Sequence, residues 1–249
     1  MHQWHGVAGE GDVLVWPDGC RDLIVVVPPS EAPAVVRTGL DLRAQRIAVV
    51  PGTAFVGLRC APGMRWAWDG RVAGASVAQR LHVGATSPPG LRAWLARLRR
   101  SPEDGATLLE EAVERWGRPP DPSIASLLAE SLEGGSALGA TPAAAARTLR
   151  RRLREATGAP PTFWRTLHRA RAAARLLAQH RRPPGDVALC TGFADQAHLT
   201  RAMRRWFDTT PAALQRGRTS AAELLHGPDA FTLLGVPSPS PSPWARDRA

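Results

Sequence analysis

A chain of 249 residues with 44% hydrophobic content has room for one large domain or two modest ones and material for a packed core, which excludes global disorder. All 32 basic residues are Arg, against 22 acids, giving a net charge of +10, and there is no Tyr. Cys20, Cys60 and Cys190 are too few and too scattered for a disulfide framework or a structural zinc site. No apolar run approaches the roughly 18 residues that span a membrane, and MHQWHGVAGEGD lacks the pattern of a secretory leader. A reducing, cytoplasmic setting is the expectation.

The charge is unevenly placed. Residues 101–144 hold 2 Arg and 8 acids, whereas residues 145–218 hold 16 Arg against 4 acids, a balance of +12. Such a field attracts a polyanion, and the guanidinium fork matches phosphate geometry. A solubilising face on an Arg-biased chain is the plainer account of the same numbers.

In chain order, residues 1–87 read as a small β-rich domain. DVLVW (12–16) and RDLIVVV (21–27) are strand-like runs parted by Pro17-Asp18-Gly19, and RIAVVPG, AFVGLRCAPGM and RWAW repeat the pattern. From 88 to 134 the period becomes helical, as in a connector. Leu91, Trp94, Leu95 and Leu98 share one face of a helix over 91–100. A second helix, 107–116, is capped by Asp104 or Thr107, and a third, 123–132, stops at Gly134-Gly135.

Residues 135–218 are expected to be all helical. Thr141-Pro142 reads as a cap with Pro at the first helical position, opening a helix that ends ahead of Thr157-Gly158. A long helix follows Pro160-Pro161, with Trp164, Leu167, Leu176 and Leu177 as its core stripe. DVALC (186–190), a turn at Thr191-Gly192 and a helix over 194–207 come next, and Thr209-Thr210-Pro211 closes the unit. Residues 219–249 form an extension whose Pro/Ser tail from Pro237 reads as a flexible end, with Trp244 free to dock.

DVALCTGFADQAHLTRAMRRWF has the grammar of a helix–turn–helix. Ala188 allows a close helix crossing, Gly192 supplies positive φ, and Phe193, Leu199 and Met203 or Trp206 point inward. The outer face offers Gln196, Ala197, His198, Thr200, Arg201 and Arg204, with Arg205 beside them. In a major groove Gln can pair with adenine and Arg with guanine, while His198 suits a cap or a phosphate. Trp164, Trp206 and Phe207 occupy core-like positions, which leaves no aromatic platform for single-stranded RNA.

Residues from about 138 to 216 resemble the DNA-binding domain of the AraC/XylS bacterial transcription regulators. GFADQAHLTRAMRRWF followed by Thr210-Pro211 is close to that family's signature, and LRRRLREATGAPPTFWRTLHRARAAARLL matches upstream. The resemblance implies two helix–turn–helix units joined by a long helix that bears Arg169, Ala173, Leu176 and Leu177. In the first unit Arg147, Arg150 and Arg151 are the exposed DNA-binding candidates, Arg152 touches backbone or solvent, and Leu149 and Leu153 are core. Family register would set Gly139 in a support helix, Pro142 inside or at the end of it, and Ala143 at the turn. Capping chemistry instead starts the recognition helix at Pro142. Asp208 stands where the family commonly has Gly.

WPDGCRDLIVVV (16–27) and VGLRCAPG (56–63) resemble a cupin-like sensory domain that precedes this unit in one branch of the family, and Trp66 and Trp68 are pocket or core candidates there. The fold class expected is α+β, a β-rich domain followed by an all-α one. The function expected is sequence-specific binding of double-stranded DNA that regulates transcription. The alternative is a ligand- or partner-binding protein with a degenerate DNA unit. No catalytic residue, metal or cofactor is expected: GxSxG, HExxH, P-loop and Rossmann patterns are missing, and His2, His5 and His82 are the only histidines of the β-rich part. The resemblance leaves open RNA polymerase, an effector and a second copy of the chain as partners, and it implies no membrane.

Overall fold

The structure, a computed structural model, describes residues 1–68, 79–81, 87–132, 143–179, 182–217 and 228–235. A β-rich amino-terminal half is followed by an all-α half. The Gly134-Gly135 stop, the Thr141-Pro142 cap, Gly139, His82 and the tail with Trp244 lie outside the described residues.

The β-branched runs of residues 21–27 and 34–37 sit within a five-stranded sheet. β1 (His2–Val7), β6 (Ala54–Cys60), β3 (Arg21–Val27), β4 (Ala34–Arg37) and β8 (Gln79–Arg80) lie side by side in that order, all antiparallel. Two short ribbons accompany it, β2 (Val13–Val15) with β5 (Gln45–Ile47) and β7 (Arg65–Trp66) with β9 (Gly117–Arg118). On β3 the alternation puts Leu23 and Val25, both fully buried, on the face shared with Val35 and Leu58. That face is covered by α1 (Leu91–Arg100) and α2 (Gly105–Trp116) through Leu91, Trp94, Leu98, Leu108 and Leu109. Each such side chain stabilises the fold by roughly 1.5–3 kcal/mol on burial.

The helices of 88–134 therefore divide between two cores. α1 and α2 roof the sheet, whereas α3 (Pro122–Leu132) joins the helical half through Ile124 and Leu128. Asp104 precedes α2 without giving it a side-chain hydrogen bond, because a 3-10 turn, Pro102–Asp104, runs straight into Gly105. Trp66 and Trp68 stack at 4.9 Å within the sheet-and-helix core, with Trp66 buried.

The all-α half comprises α4 (Ala143–Thr157), α5 (Pro161–Gln179), α6 (Pro184–Cys190), α7 (Gln196–Phe207), α8 (Pro211–Gln215) and the short α9 (Ala230–Leu233). Thr209-Thr210-Pro211 does not close the unit as expected. Thr210 Oγ1 accepts the Ala213 N–H at 3.1 Å and so caps α8, with Pro211 at the first helical position.

The two halves meet through WPDGC and the 228–235 segment. Trp16 lies 4.7 Å from the Phe207 ring, and Gly19, at φ 79°, fits where a Cβ would stand 2.7 Å from Trp164 and 2.8 Å from Ala230. Arg171 of α5, 1% exposed, donates from Nη1 to the Pro17 carbonyl and from Nε to Asp229, both at 2.9 Å. Asp229, 0% exposed, also accepts from Arg175 and caps α9 through Thr232. Burial alone would raise its carboxyl, but Arg171 and Arg175 outweigh that and hold it down to about 2.

The two family-like segments of the amino-terminal half also meet each other here. Arg59 reaches Asp18 at 3.1 Å and Asp22 at 3.4 Å, and donates to the Pro228 carbonyl. Trp4, lying over Gly57, donates to Asp22 at 3.0 Å. Burial pushes Asp22 up to about 7 against the pull of Arg59.

Candidate nucleic-acid interface

The geometry of α6 and α7 follows from four local features. Thr191 Oγ1 donates to the Val187 carbonyl at 2.6 Å, closing α6. Gly192 then turns the chain at φ 78°, and the Phe193 N–H returns to the Ala188 carbonyl at 2.9 Å. Asp195 caps α7 by accepting the His198 N–H at 2.6 Å. Ala188, Leu199 and Met203 are 0% exposed, and Trp206 is 1%, so both of the alternatives Met203 and Trp206 point inward.

On the outer face Gln196, Ala197, His198, Arg201, Arg204 and Arg205 are exposed. Two of them are already engaged. His198 Nδ1 accepts the Ala194 N–H at 3.5 Å while its ring meets Phe193 edge-on, and Arg205 lies over the Trp206 ring. Thr200 is half-buried, and its hydroxyl donates to the Gln196 carbonyl at 2.8 Å. Cys190, the last residue of α6, is only partly buried.

α4 presents Arg147, Arg150, Arg151 and Arg152 to solvent, while Leu153 is fully buried. Nothing is described of the Leu149 side chain or of those of Ala143 to Ala146. Arg151 pairs with Glu155 one turn on at 3.4 Å, a surface contact of about 0.3–0.5 kcal/mol. Arg152 donates to Ser123 Oγ at 3.4 Å, which draws it toward α3. At the end of α4, Gly158 takes φ 85°, and Thr157 Oγ1 accepts from the Trp164 indole at 3.1 Å, tying α4 to α5.

The joining helix contributes to the turn of the second unit as well. Arg169 of α5 donates from Nη1 to the Gly192 carbonyl at 3.2 Å, bracing the turn of the second unit from the joining helix. In sequence it is one Arg among many; the resemblance placed it on the long helix without a task.

Asp208 ends α7 in the left-handed region, at φ 50° and ψ 34°. It is exposed, and its charge opposes the negative end of the helix dipole. Asp208→Gly is therefore expected to stabilise the chain by about 1 kcal/mol, read as a higher urea midpoint with an unchanged slope.

A comparison of the sequence with protein families adds one finding. Residues 140–217 match a family model described as a helix-turn-helix domain. The matched stretch runs from just before α4 to just after α8 and is under half of the chain. No curated protein matches. Among solved structures, apo ToxT from Vibrio cholerae, in a single-substitution variant, overlaps with a TM-score of 0.42 at 9% identity, covering 88% of this chain and 98% of that one. A second ToxT structure from the same organism gives 0.38 at 7% identity, covering 86% and 97%. Among the described residues no helix is long and apolar enough to cross a membrane, and no three His, Cys, Asp or Glu residues come together to hold a metal.

Proposed function

We propose that the chain is a sequence-specific binder of double-stranded DNA that regulates transcription, and that it belongs with the AraC/XylS regulators. The observation that carries this reading is the second helix–turn–helix. A side-chain-capped helix has one face locked into the core by Leu199, Met203, Trp206 and Phe207, while Gln196, Ala197, Arg201 and Arg204 face outward. A rigid helix with amide and guanidinium groups on its free face suits direct readout in a major groove. Arg147, Arg150 and Arg151 on α4 supply a second basic face, which fits phosphate gripping as well as base contact. Arg205, held over Trp206, and Thr200, bonded to its own helix, have smaller parts in this reading. The β-rich half is the candidate for sensing an effector, a role taken from the resemblance alone, and a cytoplasmic setting goes with it.

The test separates reading from grip. With fragments selected from the source genome as the specific duplex and a shuffled sequence as competitor, Arg201→Ala should lose about 1–3 kcal/mol of preference between them. Arg152→Ala should weaken both duplexes alike. Equal losses on the two duplexes for Arg201→Ala would remove its base-reading role, and a wild-type chain that binds no duplex would overturn the proposal.

A further inference from the structure

Several structural arginines among the described residues have carboxylate partners. Arg97 and Arg115 share Glu111 across α1 and α2, and Arg171 and Arg175 share Asp229. The β7–β9 ribbon breaks that habit. Its register sets Arg65 directly opposite Arg118, which in an antiparallel pair means Cα atoms about 5 Å apart. Both side chains are exposed, and neither has an ion pair among the described residues. Arg118 donates instead to the carbonyl of its neighbour Gly117. Like charges facing each other across a ribbon are destabilising, and the chain sets one of them within its most acidic stretch.

The ribbon beneath the pair is well packed. Trp66, between Arg65 and the stack on Trp68, is buried, as is Trp116. The Ala67 N–H extends the pairing to the Trp116 carbonyl at 2.9 Å. Gly117 leaves no room even for a Cβ, which would stand 2.6 Å from the Val113 carbonyl oxygen. The two side chains thus spring from a fixed stretch of backbone, and their planar forks match the oxygens of an anion.

The position of the ribbon says which anion. Gly63, two residues before Arg65, sits where a Cβ would come within 2.9 Å of Ile124 and 3.1 Å of Pro120, so the ribbon abuts the start of α3. On the first turn of α3, Ser123 accepts from Arg152 of α4. Arg118 and Arg152 therefore flank one short stretch of chain, 118–123. The carboxylate within it, Asp121, already accepts the Ser123 N–H. Arg65, Arg118 and Arg152 thus lie around this stretch, which packs beside α4 and its exposed Arg147, Arg150 and Arg151.

We propose that Arg65 and Arg118 are a further duplex-DNA contact, made by the β-rich half on the phosphate backbone beside the groove that α4 approaches. The inference rests on the DNA-binding reading above. It implies that the amino-terminal half takes part in the grip directly and lengthens the stretch of duplex covered. Phosphate contacts carry no base information, so the contribution is the same for every sequence.

The experiment uses the full chain and a mixed-sequence duplex of about 40 base pairs, long enough to extend past the helix–turn–helix units. The double variant Arg65→Ala/Arg118→Ala should bind about tenfold more weakly at low salt, and its plot of log affinity against log salt should be shallower by about two. Its melting temperature should not fall, since a like-charge pair has been removed. The charge-keeping Arg65→Lys/Arg118→Lys should retain most of the slope. Trimming the duplex to the stretch covered by the helical half should abolish the difference between wild type and the alanine variant. If wild type binds and the alanine variant shows the same slope and affinity, this contact is excluded while the DNA-binding reading stands. If the loss persists on the trimmed duplex, or if the lysine variant loses as much, a phosphate contact beyond the helical half is likewise excluded. A wild-type chain that binds no duplex overturns both.

Discussion

Raising the salt concentration from about 50 to about 200 mM should weaken duplex binding by roughly 10³–10⁵-fold. That range corresponds to six to ten phosphates neutralised, each releasing counterions when an Arg replaces them. The source of the charge is the stretch 145–218 with its balance of +12, but the structure subtracts from that total. Arg171 is buried and Arg175 is bound to Asp229, so neither is free for DNA. Arg151 is tied to Glu155 only through a solvated surface pair, which costs little to release. Enough exposed arginines remain on α4 and α7 for the lower end of the contact range from the helical half alone. Anisotropy titrations across a salt series measure the slope. A flat line would mean that the Arg-rich faces are solvated surface and nothing more.

Asp229→Ala should cost about 3–5 kcal/mol of stability, the magnitude for breaking a buried ion pair by removing one partner. The substitution leaves Arg171, 1% exposed, with the Pro17 carbonyl as partner and no counterion, and it uncaps α9. Asp229→Asn keeps a side-chain acceptor for Thr232 but not the charge, so it should lose nearly as much. Urea denaturation of the full chain measures both. Acid titration gives an independent reading. A carboxyl held down to about 2, against 3.8 when unfolded, contributes stability that is present above about pH 4 and drains away as the pH falls through 2. In Asp229→Asn that acid-sensitive contribution should be missing. The same contact decides which fragment folds. The Pro/Gly breaks and charge reversal around 117–135 suggest residues 121–218 as an independent unit, yet that piece lacks both Pro17 and Asp229. It should melt without cooperativity, and extension to residue 235 should restore part of the transition.

Much of this fold is legible wherever one face of an element is buried and its ends are marked. Residues 91–100 form a helix with the boundaries expected, because Pro88-Pro89-Gly90 precedes a clean apolar stripe. The strands 21–27 and 54–60 follow from largely apolar runs between turns. The second helix–turn–helix has the same features, with Ala188, Phe193, Leu199, Met203 and Trp206 buried behind a marked turn. β1 escapes such a reading because it is an edge strand without an apolar run, HQWHGV, whose pairing with β6 depends on a partner about 50 residues away. α8 is too short at five residues to show a period, although its Thr-Pro start is the same signal read at 141–142. The junction between the halves was the least accessible. Arg171 looks like one more solvated Arg on a basic helix, and no local pattern announces that a carboxylate 58 residues on will bury it.

The seam at Gly19 bears on how freely this chain can be rebuilt. A Cβ there would collide with Trp164 and Ala230, and the neighbouring carbonyl of Pro17 supplies half of the coordination of Arg171. A chimera that grafts the helical half onto a foreign amino-terminal domain would inherit an indole facing whatever side chain the donor carries and a guanidinium short of an oxygen. The transplant unit is therefore the helical half together with its matching turn, and shuffling at residue 88 or 121 cuts through a lock whose key lies at the other end of the chain.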